Sequence, residues 1–288
     1  MRDNPIVHID VNSQYYPDSL RQISNKPKEL YCCGDLSLLK ERSIAVIGSR
    51  KYTIYGKQVA KMIGRTLANN GVPVVSGLAA GIDTFAHEGV VESNGKAIAV
   101  LGTGINRMYP VKNAQLMEEI CKTGLVISEY PPDYPGLKEN FPARNRIIAG
   151  LCEGVVLIEA NFKSGSLITA DFAMQQNKPI YAVPGNINSQ FSLGTNLLIR
   201  EGATPLIVID DILRDLHLEP VKYPEADSNR YDEDEINIIN IVNKYNGATV
   251  DIIAKELKKK VSEVNSVVTI LEIKGAIVTY AGKIHLAK

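Results

Sequence analysis

IAVIGSRKYTIYGKQVAKMIGRTLANNGVPVVSGLAAGID, residues 44–83, decides the fold. It opens on Ile44–Ile47, an apolar run rich in β-branched residues. Such a run suits a central strand covered on both faces, where neither side meets water. Gly48-Ser49-Arg50 ends it. Lys57, Lys61 and Arg65 then recur at helical spacing, within a helix expected over Tyr55–Asn69. A second apolar run, Val72–Val75, exits into Ser76-Gly77 and then Gly81-Ile82-Asp83.

The same alternation continues outward. Apolar runs recur at Ala97–Leu101, Leu125–Ile127, Val155–Ile158 and Ile180–Val183. Between them lie helical stretches at Thr84–Asn94, Pro110–Cys121, Ala143–Leu151 and Leu167–Gln176. This spacing predicts an α/β fold, a doubly wound parallel sheet over residues 44–217. Ligands of such sheets bind beyond the carboxyl ends of the strands. Residues 1–43, punctuated by Pro5, Pro17 and Pro27, read as an irregular N-terminal approach segment. Residues 218–232 read as a polar linker. Residues 233–288 change character. One helix starts near Asp232 or Asp234, and two follow at Thr249–Leu257 and Val261–Lys274. A hairpin of Ile277–Tyr280 and Lys283–Leu286 completes what reads as a small C-terminal winged-helix domain.

Charge narrows the function. The chain holds 32 Lys+Arg against 32 Asp+Glu, which excludes a uniformly basic nucleic-acid binder. The distribution is uneven, however. No acid occurs from Arg42 to Ile82, while Glu201, Asp210, Asp211, Asp215 and Glu219 gather late. Segregation of this kind makes a positive face on a neutral protein, although Lys57, Lys61 and Arg65 also fit a plain solvated helix. No apolar run reaches the roughly 18–20 residues of a membrane span, and the N-terminus lacks a signal-peptide core. Cys32, Cys33, Cys121 and Cys152 form no CxxC pair, in keeping with thiols in a reducing cytoplasm.

Most of the predicted strands end in small residues: Gly48-Ser49-Arg50, Ser76-Gly77, Gly102-Thr103-Gly104, Ser164-Gly165-Ser166 and Pro184-Gly185-Asn186. Glycine lets backbone N–H groups approach a phosphate, and a following helix N-terminus favours an anion. The same glycines also suit ordinary tight turns. The dinucleotide fingerprint is absent, because Arg107 stands where its third glycine belongs. No Walker motif occurs, and Phe162 replaces the first glycine of a nucleophile elbow around Ser164. His8, His87, His217 and His285 are scattered, and Asp83 suits an N-cap or first-turn acid. Neither an enzyme nor a cofactor is expected from this set.

Asn140-Phe141-Pro142-Ala143-Arg144-Asn145-Arg146, with Lys138 upstream, is more informative. A base can stack on an exposed Phe while Lys and Arg hold the flanking phosphates, the pairing expected of a single-strand binder. The alternative for Phe141 is a core anchor. Arg144 and Arg146 would oppose the helix dipole in a first turn, which favours a bound anion there.

These stretches resemble one family, DNA-processing protein A, also called DprA or Smf. The resemblance rests on AVIGSRKYTIYG (45–56), VVSGLAAGID (74–83), AVLGTGINRMYP (99–110), SEYPP (128–132), NFPARNRIIAGL (140–151), KSGSLITA (163–170), AVPGN (182–186) and GTNLLIREGA (194–203). It implies an extended Rossmann-like fold that dimerises, binds single-stranded DNA and loads the RecA recombinase during natural transformation. By resemblance, strand binding falls to Arg50, Lys138, Phe141 and Lys163, with backbone help around Gly48, Ser49 and Ser164. The full candidate set adds Lys51, Arg107, Asn140, Arg144, Arg146, Gly165 and Ser166. Asp210, Asp211 and Asp215 are candidates for a partner or dimer surface. The C-terminal module departs from a duplex reader: residues 231–288 hold eight Lys, no Arg and eight Asp+Glu. Two other classes stay open. A nucleotide hydrolase would carry PGGxGTxxE where Ser164–Thr169 stands, and a transcriptional regulator would want more cations on Val261–Lys274.

Overall fold

The computed structural model describes residues 5–218, 231–245, 247–280 and 282–286. The elements of the larger unit run β1 (Ile6–Asp10), α1 (Asp18–Arg21), β2 (Glu29–Gly34), β3 (Ile44–Ile47), α2 (Ile54–Asn69), β4 (Val74–Ser76) and α3 (Ile82–Glu92). They continue with β5 (Ala97–Leu101), α4 (Ala114–Thr123), β6 (Leu125–Ser128), α5 (Asn140–Leu151), β7 (Gly154–Leu157) and α6 (Gly165–Gln175). β8 (Ile180–Ala182), α7 (Leu193–Arg200), β9 (Thr204–Pro205) and α8 (Asp210–Asp215) end the unit.

The strands form one sheet in the order β1-β2-β6-β5-β4-β3-β7-β8-β9. From β6 to β9 every pairing is parallel. Strand alternation feeds two cores. Ile44 and Val46 join Val59, Ile63 and Leu67 of α2 on one face. Ala45 and Ile47 join Ile147, Ile148 and Leu151 of α5 on the other. Burial on both faces is why these strands carry almost no polar residue. Thr53 starts α2, its hydroxyl accepting from the Gly56 N–H at 3.0 Å.

Residues 5–43 are not irregular. β1 pairs antiparallel with β2, and β2 pairs antiparallel with β6, extending the sheet by two strands. Leu30, Cys32 and Cys33 of β2 are fully buried. The prolines flank elements instead of breaking them: Pro5 precedes β1, Pro17 caps α1 and Pro27 lies before β2. Two boundary shifts matter for the site. Val111–Asn113 is a short 3-10 turn, so α4 begins only at Ala114. α5 begins at Asn140, which moves Arg144 and Arg146 past its first turn and removes the dipole argument for an anion there.

The chain divides into two compact units, one to Pro220 and one from Val221. The linker expected at 218–232 lies outside the described residues, apart from Leu218, Tyr231 and Asp232. The smaller unit contains α9 (Glu233–Lys244), α10 (Val250–Leu257), α11 (Val261–Ile273) and a hairpin of β10 (Ile277–Tyr280) and β11 (Lys283–Leu286). Asp232 and Glu235 form a reciprocal capping box at α9. Ile238, Val242, Ile253, Val264, Leu271 and Ile284 make its core. Lys274, just past α11, holds the buried Glu235 carboxylate with 2.7 Å contacts to both oxygens. The cation nearest the end of this helix is thus engaged within the fold.

Candidate nucleic-acid interface

After β3 the chain builds β4, β5 and β6 to one side, then returns to place β7 on the other side of β3. The carboxyl ends of β3 and β7 therefore mark the topological switch point, where such sheets bind ligands. An open cleft of about 930 Å³ lies there. Gly48, Ser49, Arg50 and Lys51 line it after β3, and Ser164, Gly165 and Ser166 line it after β7. Arg107, Lys138, Phe141 and Arg144 complete the expected residues in its wall.

Phe141 forms the aromatic centre of this cleft. It is half-buried, with its ring centroid 5.5 Å from that of Tyr109. The Arg50 guanidinium lies 5.8 Å from the same centroid. Gly102 is glycine because a Cβ there would come within 2.8 Å of the Phe141 ring. Gly48 is glycine because a Cβ would meet Ile82 at the same distance. These two glycines thus serve packing. Gly165 differs, since a Cβ there would meet nothing within 4 Å. It opens α6, an eleven-residue helix capped by Ser164, whose hydroxyl is also 2.7 Å from that of Ser166. Of the strand-end turns in the cleft wall, this one has both the space and the helix N-terminus for an anion.

Arg50, Lys51, Arg107 and Lys138 are exposed, and Lys163 is exposed beside the cleft. Asp83 is the sole acid among the lining residues, and it is buried. As expected of a first-turn acid of α3, it accepts N–H groups, here from Gly77 at 3.1 Å and Gly48 at 3.4 Å. It thereby ties together the turns after β3 and β4. Burial pushes the Asp83 carboxyl up, against the attraction of Arg144. Burial pulls the Arg144 guanidinium down to about 10, against the attraction of Asp83. Arg144 donates to the Gly77 carbonyl at 2.8 Å and to the Val100 carbonyl. It is a strut beneath the cleft floor more than a free phosphate ligand.

Three expected residues lie outside the cleft lining: Asn140, Arg146 and Lys163. Arg146 is buried and grips Glu129 in a bidentate pair, with 2.8 Å and 2.5 Å contacts. It also donates to the carbonyls of Asn25 and Ala143. A guanidinium so engaged is not available to a phosphate, and the reading of Arg146 as a strand ligand is corrected. Asn140 is buried at the start of α5.

Sequence reasoning missed Tyr109 as a site residue, though it is 56% exposed and its ring lies tilted against that of Phe141. Its local signal is weak, because nothing near it in sequence announces a partner aromatic 32 positions on. The acidic candidates sit on α8. Asp211 pairs with Arg214, and Asp215 accepts the Tyr181 hydroxyl at 2.5 Å. Asp215 thus has a job in the fold, while Asp210 is an exposed first-turn acid.

Protein Smf of Escherichia coli is 36% identical over 282 residues, covering 95% of this chain and 75% of that protein. DNA processing protein DprA of Streptococcus pneumoniae is 45% identical over 198 residues, covering 69% of this chain and 70% of its own. The X-ray structure of DNA processing protein A from Streptococcus pneumoniae superposes with a TM-score of 0.70 at 42% identity, covering 73% of this chain and 74% of that one. DNA processing protein A from Helicobacter pylori, whose structure is described in terms of its single-stranded DNA binding mode, gives a TM-score of 0.67 at 32% identity, covering 75% of this chain and 96% of that one. Residues 7–217 match the family described as DNA recombination-mediator protein A, and the chain belongs to that family.

Proposed function

We propose that this protein binds single-stranded DNA without sequence preference in the switch-point cleft and loads the RecA recombinase onto it during natural transformation. One observation carries the binding half: a half-buried Phe141 has Tyr109 at 5.5 Å and Arg50 at 5.8 Å from its ring centre, in a cleft whose exposed charged side chains are all cations. Stacking on an aromatic face accepts any base, and phosphate contacts carry no sequence information. The family membership and the Helicobacter pylori relative support the same reading. The role is binding without catalysis. His87 is wholly buried and held at about 4 by desolvation, and burial pushes the Cys32 and Cys152 thiols up to about 12 and 11. Groups so placed are poor general bases or nucleophiles near neutral pH.

Phe141→Ala tests the stacking. It is expected to weaken single-strand binding by about 1–3 kcal/mol with the melting temperature nearly unchanged. Early melting with normal affinity would instead make Phe141 a core residue.

The protein acts in the cytoplasm as a homodimer. Its large domain joins β1 and β2 to residues 44–217 in one sheet, and 218–232 link it to a winged-helix domain at 233–288. The near balance of charge over 231–288, eight Lys against eight Asp+Glu, and the engagement of Lys274 by Glu235 argue against specific duplex reading by that module. The acids of α8 offer complementary charge to a basic partner surface, which selects partners more than it adds affinity. Asp210→Lys with Asp211→Lys is expected to impair RecA loading while leaving DNA affinity intact. Unchanged loading places the recombinase elsewhere. Asp215 is left alone in this test because it holds Tyr181.

A further inference from the structure

Large apolar side chains on a surface need a reason, and two stand out on the carboxyl edge of the sheet beyond the cleft. Phe162 is 59% exposed and Ile187 is 95% exposed. Phe162 precedes Lys163 in the loop after β7, and the next residue, Ser164, already lines the cleft. Ile187 belongs to the loop after β8, the strand beside β7. The two loops are bound side by side. The Ala160 N–H donates to the Phe191 carbonyl at 2.8 Å, and the Gly194 N–H donates to the Ala160 carbonyl at 2.8 Å. They form one continuous rim with the cleft wall.

Charge on this rim suits a polyanion. From Ala160 to Arg200 the sequence contains one acid, Asp171, which lies nearly two turns along α6 from the loop. Lys163 is exposed beside Phe162, and exposed Asn186 and Asn188 flank Ile187 with amide donors. A protein-binding patch would not need an acid-free surround; a nucleic-acid path does. The spacing also fits. Phe141 packs against Gly102 at the end of β5, and Phe162 follows β7, three strands away. At about 4.8 Å per strand the two strand ends are roughly 14 Å apart, a distance that a few nucleotides span.

We propose that the paired loops after β7 and β8 carry single-stranded DNA onward from the cleft. Phe162 is a second base-stacking platform, and Ile187 packs against a neighbouring base or sugar face. This rests on the cleft being the primary strand site.

The test is an affinity series on single-stranded oligothymidylates of increasing length, using wild type, Phe162→Ala, Phe162→Tyr and Arg50→Ala. Phe162→Ala is expected to bind the shortest oligomers normally and to lose roughly five- to a hundred-fold on longer ones. Phe162→Tyr restores the loss, because the ring is what acts. Arg50→Ala weakens every length. Wild-type affinity of Phe162→Ala at all lengths overturns the proposal while leaving the cleft reading standing. So does altered self-association with unchanged DNA affinity, which would make Phe162 a protein contact. Absence of single-strand binding by wild type overturns both.

Discussion

Arg144→Met is expected to lower the stability of the larger unit by about 2–5 kcal/mol, because two buried carbonyls lose their donor and the buried Asp83 carboxylate loses its nearby compensating cation. Methionine keeps most of the volume, so the loss reports charge and hydrogen bonding. The substitution strands Asp83, which is buried and held by backbone N–H groups of Gly77 and Gly48. It also frees the carbonyls of Gly77 and Val100. Asp83→Asn in the same background removes the stranded charge, and the double variant recovers part of the loss in a double-mutant cycle. pH gives a second reading. Burial already raises the Asp83 carboxyl, and losing Arg144 raises it further. A carboxyl raised in the folded state holds a proton there that the unfolded chain releases. Its contribution is therefore present at low pH and lost as pH rises through the folded value. The melting gap between wild type and Arg144→Met is thus smaller at mildly acidic pH than at alkaline pH. Thermal melts across that range check both points, and a gap independent of pH would remove Asp83 from the explanation.

Removing Arg50 and Lys138 together is expected to have the largest effect on binding. A hydrogen bond to a charged group contributes about 1.5–3 kcal/mol. Both side chains are exposed, so the low end applies, and Arg50→Ala/Lys138→Ala loses about 3 kcal/mol, or on the order of a hundredfold. Arg50 also leaves the Phe141 ring, which widens the loss if a base stacks there. The deficit is the same for any base composition, because phosphates carry it. The slope of log affinity against log salt shallows by about 0.7 for each phosphate that the variant no longer neutralises. Melting is unchanged, since neither side chain supports the core. A deficit that varies strongly with sequence would mean that base edges are read here.

The parallel sheet was legible in the sequence because burial on both faces forces an unbroken apolar run. Ile44–Ile47, Ala97–Leu101 and the other inner strands advertise themselves locally. β1 and β2 do not, because they pair antiparallel at the edge, β1 mixing exposed with buried positions and β2 mixing partly buried with fully buried ones. Their identity depends on β6, some 90 residues further on. The site divides along the same line. Arg50, Lys138 and Phe141 stand out as residue types in a sequence context, and the fold gathers them. Arg146 shares a motif with Phe141, yet one helical turn and a half carries it to Glu129 on the buried side. Gly48 and Gly102 were open between phosphate binding and ordinary tight turns, and their neighbours, Ile82 and Phe141, add a packing reason for glycine that no local pattern shows. Tyr109 reaches Phe141 through tertiary folding that no local pattern announces.

Whether the cleft is a phosphate-held single-strand site is tested most directly by titrating wild type with single-stranded and duplex DNA of equal length at roughly 50 and 200 mM salt. With Arg50, Lys51, Arg107, Lys138 and Lys163 all engaged, single-strand affinity falls about a hundredfold between the two salts. Duplex binds more weakly at both, because paired bases cannot reach Phe141. Equal affinity for duplex, or single-strand affinity that does not change with salt, would contradict it.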